Sequence, residues 1–227
     1  MPPDLRPNHA FGPSPEIDSG RMGDLSSSEP LPILFRDPWM VVVNKPAGQM
    51  VHPADNPSEG DQVTMKILRD QIGCPVFPIH RLDRPTTGAL VFATDQAIAQ
   101  SLHERFRSHL VTKVYWAVVE GHPKGDAWTC DEPIRKEPHS PSQAAHTDFR
   151  VLARLDESLA LIEAIPKTGR HHQIRRHLLH AGHPIVGDYR YAGIERSDAW
   201  GERLGSGTRM FLHARSLRFA HPIHGEE

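Results

Sequence analysis

Apolar and polar positions alternate in a way that lays out most of the chain. Ile33-Leu34-Phe35 and Met40-Val41-Val42-Val43-Asn44 read as two short strands around a tight turn at Arg36-Asp37-Pro38, and Lys45-Pro46-Ala47-Gly48 ends the second. Apolar residues at Val63, Ile67, Leu68 and Ile72 fall at helical spacing. Ala89-Leu90-Val91-Phe92-Ala93 is a continuous apolar strand. Behind it, Thr94 or Asp95 can cap a helix carrying Ile98, Leu102 and Phe106 on one face. Val114 to Val119 predicts a further strand that ends at Gly121, followed by an irregular excursion over 122–146 dense in Pro, His and Ser. Two strands, Thr147–Leu155 and Leu159–Ile165, are joined through Asp156-Glu157-Ser158. A helix from His171 to His180 stops at Ala181-Gly182, and Phe211–Ala214 and Leu217–Ala220 suggest two final strands. Many strands, few helices and hairpin-length links predict an α+β fold built on a mixed, mostly antiparallel sheet flanked by helices. No repeat is visible.

Residues 1–30 break this pattern. They are rich in Pro, Ser, Gly and Asp, show no apolar period, and read as a disordered tail. The start, Met1-Pro2-Pro3-Asp4, lacks the basic and apolar regions of a secretory signal, and no apolar run nears the roughly 18 residues of a membrane helix. Cys74 and Cys130 share no short motif, which suits two ordinary cysteines in a reducing cytoplasm.

Charge first argues against a nucleic-acid partner, because the net is −2. Residues 1–29 carry −3 of this, which leaves the remainder at +1. Between Lys167 and Gly187 stand four bases (Lys167, Arg170, Arg175, Arg176), five histidines and no acid. Such a patch attracts phosphate locally.

The chemistry concentrates in His80-Arg81-Leu82-Asp83-Arg84-Pro85-Thr86-Thr87-Gly88, a polar loop set against an apolar strand. Pro85 and Gly88 shape a turn, and Asp83 is flanked by Arg81 and Arg84, cations that suit a carboxylate. By itself this reads first as a surface Asp–Arg pair in a turn and only second as a nucleophile or base. The wording of the loop resembles the signature of the RluA-type pseudouridine synthases, in which the aspartate of H-R-L-D is catalytic. Val43-Asn44-Lys45-Pro46-Ala47-Gly48, Lys113 to Gly121, Pro166 to Leu178, and Leu212-His213-Ala214 with His221-Pro222 resemble the other motifs of that family, in the family's order.

The resemblance implies a pseudouridine synthase catalytic domain over 31–227, with Asp83, Tyr115 and Arg175 converging as catalytic residues. Arg175 would pair with Asp83, and Tyr115 would stack on the uracil and move a proton from C5. Taken alone, Tyr115 is a strand tyrosine packed on a sheet, and Arg175 a solvated cation. Arg81, Lys113, Lys167, Arg170 and Arg176 are the expected RNA contacts; Arg81 can fill the gap left by a flipped base. Substrate and product hold the same atoms, so no cofactor is expected. No metal is expected either: arginines surround the histidines of 171–183, and His103-Glu104 with His109 lacks a zincin's i, i+4 pair. The implied partner is RNA, with tRNA favoured because residues 1–30 cannot supply the S4-like domain common among ribosomal RNA enzymes of this type. Within the family, Arg69-Asp70-Gln71-Ile72-Gly73 resembles a branch acting on a T-arm stem uridine of tRNA. A cytoplasmic monomer is expected. Thr87 stands where the family more often has Ser, which keeps the hydroxyl. Family members usually continue past the H-P-x-x-G-E stretch, so the likeness leaves the end of the fold and some RNA contacts unaccounted for. The rival readings are an RluA-type enzyme for ribosomal RNA and a catalytically silent RNA-binding module.

Overall fold

The computed structural model describes residues 29–53, 58 and 60–225. The reading of residues 1–30 as a tail therefore falls almost wholly outside the described residues. The chain order is β1 (Ile33–Arg36), β2 (Met40–Lys45), α1 (Thr64–Ile72), β3 (Phe77–Pro78), β4 (Thr87–Ala93), α2 (Gln96–Arg107), β5 (Thr112–Glu120), β6 (Ala127–Cys130), β7 (Thr147–Arg154), β8 (Leu159–Pro166), α3 (Gln173–His180), α4 (Ile194–Arg203) and β9 (Leu212–Arg218). The strands form one nine-stranded sheet in the order β1-β2-β4-β9-β5-β8-β7-β6, with β3 added beside β4. Every named strand pair is antiparallel except β4 with β9, which run parallel. This is the mixed, mostly antiparallel α+β sheet that the sequence predicts. No helix among the described residues is long and apolar enough to cross a membrane.

Local signals explain several elements. The Asp95 carboxylate accepts from the Ile98 N–H at 2.9 Å and caps α2, whose Ile98, Ala99 and Leu102 are buried. Gly73 closes α1 in the left-handed region at φ 73°, its N–H returning to the Arg69 carbonyl. All seven residues of β4 are buried, as its continuous apolar run requires.

Four expectations are corrected. The excursion 122–146 contains a strand, β6, which pairs with β7. Helix α4 has no counterpart in the apolar pattern. The closing residues form the single strand β9 rather than two, because a register shift against β5, between Val114 and Tyr115, absorbs the polar step at Arg215-Ser216. Finally, α3 starts at Gln173, two residues later than expected, because His172 is left-handed (φ 52°).

Two half-sheets meet along the parallel β4–β9 seam, where Thr87 faces His213 and Gly88 faces Ala214. The chains run so close there that a Cβ on Gly88 would stand 2.3 Å from the Ala214 carbonyl oxygen, and its φ is 112°. Gly88→Ala therefore meets both a backbone clash and a forbidden dihedral. The expected result is a loss of about 3 kcal/mol or more in urea unfolding, against about 1–2 kcal/mol for Gly60→Ala, where φ is 81° but a Cβ meets nothing within 4 Å.

Candidate active site

The loop between β3 and β4 carries Asp83 and is fastened from below. Lys45, at the end of β2, is fully buried; its ammonium donates to the carbonyls of Pro46 (2.8 Å), Gln49 (2.9 Å) and Arg84 (3.1 Å). Burial lowers its pKa to about 8, against the pull of Asp83. Gly48 and Arg84 exchange two bonds of 2.9 Å: the Gly48 N–H donates to the Arg84 carbonyl, and the Arg84 Nε donates to the Gly48 carbonyl. Thr86 N–H returns to the Asp83 carbonyl at 3.0 Å, and Thr87 bonds the His213 ring at 2.8 Å across the seam. The Asn-Lys-Pro segment thus serves as the foundation of the aspartate loop.

Asp83 meets α3 from above. Arg175 Nη1 donates to Asp83 Oδ2 at 2.9 Å, although 92 positions separate the two residues. Its Nε and Nη2 grip Asp188 in a two-point bond of 2.8 and 2.7 Å. Arg175 is 5% exposed, Asp188 1% and Asp83 22%. Burial opposes the charge of Arg175, but Asp188 and then Asp83 outweigh it and raise its pKa further. The guanidinium is therefore anchored inside and presents one N–H to a carboxylate that still faces solvent. The flanking arginines do not serve as the partners of Asp83: Arg84 pairs with Asp61 at 3.1 Å, and the cation on Asp83 comes from α3.

Asp83 lines a cleft of about 600 Å³ together with Tyr115, Arg175, Arg81, Lys113 and Arg170, six of the residues singled out in the sequence, and Lys136. An adjoining hollow of about 460 Å³ opens on its other side, toward Arg190 and His52. Burial, with the Asp83 charge adding, pushes the Tyr115 phenol well above its usual range, so it stays protonated at neutral pH. Lys113, whose pKa burial lowers, donates to the Thr168 carbonyl at 3.1 Å. His80 accepts from the Val91 N–H at Nε2 (3.2 Å) and stacks on Phe106; burial and the nearby Lys113 bring it down to about 3, a neutral ring.

Two expected RNA contacts lie elsewhere. Lys167 pairs with Asp148 at 2.9 Å, and Arg176 donates to the Arg135 carbonyl at 2.6 Å, tying α3 to the segment after β6. Neither lines the cleft. The histidines that crowd together in sequence also part company. His177 bonds Thr147 and the Glu132 carbonyl, His183 bonds the Glu120 carbonyl, and only His171 and His172 reach the cleft. Among the described residues no group of three or more His, Cys, Asp or Glu side chains is disposed to hold a metal ion.

Sequence reasoning missed Asp188, Lys45 as a loop anchor, and Tyr191. Asp188 is the first acid after the acid-free stretch that begins at Lys167, and it follows Gly187, where a Cβ would meet the Arg209 carbonyl at 2.0 Å. That tight approach is the one local hint that the position is special.

A solvent-facing carboxylate held by a buried arginine, in a cleft rimmed with cations, suits a polyanionic substrate. The chain belongs to the RNA pseudouridylate synthase family, isomerases of uridine in RNA, whose family model matches residues 39–180. It is 40% identical over 212 residues to tRNA pseudouridine synthase C of Vibrio cholerae, covering 85% of this chain and 86% of that protein. The same-named protein of Haemophilus influenzae is 40% identical over 221 residues, with coverage of 87% and 90%. Among solved structures, human RNA pseudouridylate synthase domain containing 4 superposes with a TM-score of 0.68 at 31% identity, covering 83% of this chain and 84% of that one.

Proposed function

We propose that this chain converts one uridine in the T-arm stem of tRNA to pseudouridine, acting as a cytoplasmic monomer with Asp83 as its catalytic carboxylate. The observation that carries the reading is the Asp83–Arg175–Asp188 arrangement: one carboxylate buried as an anchor, the other left open to a cleft. The relatives from Vibrio and Haemophilus, named for tRNA, support the substrate class.

The reaction breaks the bond from uracil N1 to ribose C1′, turns the base, and joins C5 to C1′. Asp83 either adds to C1′ or takes the proton from C2′; both need an oxygen of this carboxylate at the sugar. Tyr115, a neutral phenol on the cleft wall, packs against the base and is in place to relay the C5 proton. A stem uridine must first leave its stack, at a cost of a few kcal/mol. Arg81, Lys113 and Arg170 offset that cost through phosphate contacts and by filling the vacated space.

Pseudouridine mapping of total RNA from cells with and without the gene tests the assignment. The expected result is loss of one signal, in the T-arm stem of tRNA. Loss confined to ribosomal RNA would overturn the tRNA substrate, and no loss anywhere would overturn the activity.

A further inference from the structure

His172 occupies an uncommon backbone conformation at the centre of the site. Among the described residues, only it and His109 combine a side chain with positive φ. L-residues adopt this region at a cost, and such outliers gather where a site needs a particular direction. Here it sets the imidazole between two groups. Nδ1 lies 2.9 Å from the Tyr191 hydroxyl, and Nε2 lies 3.6 Å from Asp83 Oδ1. The ring is sandwiched: His171 stacks on it at 3.7 Å between centroids, and Tyr191 meets it edge-on at 5.7 Å. Tyr191 is itself packed beneath the Arg175 guanidinium, 5.0 Å above its ring.

The charge state of the ring follows from these surroundings. Burial, then the cations of Arg175 and Arg190 and the neighbouring His171, outweigh the pull of Asp83 and bring the ring down to about 4. At neutral pH it therefore carries a single N–H. With that hydrogen on Nδ1, the lone pair of Nε2 would face a carboxylate. With it on Nε2, the Tyr191 O–H donates to Nδ1 and the N–H points at Asp83 Oδ1. Only the second arrangement satisfies both neighbours.

We propose that His172 is a positioning residue, whose Nε2–H closes onto Asp83 Oδ1 when substrate enters and whose tautomer is set by Tyr191. The two carboxylate oxygens then differ. Oδ2 is anchored by Arg175, while Oδ1 is turned by a neutral donor that orients it without bringing a second full charge to the carboxylate. The 3.6 Å separation is beyond a hydrogen bond, so a small inward shift completes the contact. This inference rests on Asp83 being the group that meets the ribose.

Nitrogen-15 spectra of histidine-labelled enzyme read the tautomer without any turnover. The expected result is an Nε2–H ring at His172 in the parent and a mixture of tautomers in Tyr191→Phe. Single-turnover kinetics supply the second arm. Asn tolerates the left-handed backbone and keeps an amide near the Nδ1 position, but cannot reach Oδ1. His172→Asn is expected to slow the maximal rate about 10- to 100-fold with RNA affinity unchanged, the effect of losing one hydrogen bond to a charged group. His172→Gln places an amide N–H near the reach of Nε2 and is expected to recover about tenfold of that loss. An Nδ1–H ring in the parent would overturn the proposal. So would an unchanged rate in His172→Asn, a loss confined to RNA binding, or equal losses in both variants. Failure of the Asp83 reading is separable: Asp83→Asn would then stay active whatever the tautomer.

Discussion

Asp83→Asn is expected to bind folded tRNA as tightly as the parent and to form pseudouridine slower by about three orders of magnitude or more, on the scale of deleting one member of a catalytic triad. The substitution keeps the size of the side chain and an oxygen for Arg175 Nη1, now 2.9 Å from Oδ2. It removes the charge and nucleophilicity that both routes at the ribose require. Folding should survive, because Arg175 retains its two-point bond with Asp188. Filter binding and single-turnover assays on one tRNA transcript separate the two effects. Pseudouridine formed at the parent's rate by this variant would remove Asp83 from the mechanism.

Arg175→Leu is expected to be the most destabilising substitution at the site. It leaves Asp188, 1% exposed, without the guanidinium that neutralises it, and breaking one side of a buried ion pair costs about 3–5 kcal/mol. Urea unfolding monitored by tryptophan fluorescence gives the measurement. The paired variant Arg175→Leu with Asp188→Leu should regain most of the stability, since a buried pair replaced by apolar groups of similar size is often neutral. It should regain none of the activity, because Asp83 would still lack its anchor. A single variant as stable as the parent would refute the anchoring role of the Arg175–Asp188 pair.

The parts of this site that were legible in sequence are those where chemistry sits in short polar stretches against apolar strands. The aspartate loop ahead of Ala89 is the clearest case, and Lys113 with Tyr115, two apart on one strand, both reach the cleft as alternation requires. The basic stretch 167–176 was legible as a charge pattern but not as a set of directions. Arg170 turns into the cleft while Lys167 and Arg176 turn to Asp148 and the Arg135 carbonyl, a choice made by tertiary contacts. Helix α4 escaped because its buried residues are Ser197 and Gly201 rather than an apolar stripe. A Cβ on Gly201 would stand 2.3 Å from the Gly207 carbonyl, so small size and not hydrophobicity secures that contact. Strand β6 is four residues long, and its pattern is lost among the prolines, histidines and serines that follow.

The parallel seam between β4 and β9 also bears on when the site comes into being. Asp83 belongs to the half-sheet made before residue 94, whereas Tyr115 and Arg175 belong to the half made afterwards. The strand that joins the halves is the last one among the described residues, and the bond from Thr87 to His213 spans 126 positions. A contact of such sequence separation forms late, after the local hairpins on either side. The first half-sheet and its loop are synthesised before β9, so the two flanks of the cleft are expected to be fixed in register only once β9 has been made. A chain released before β9 would lack the Thr87–His213 bond and the strand that pairs with both β4 and β5, and it is expected to form no pseudouridine even though Arg175 has already been made.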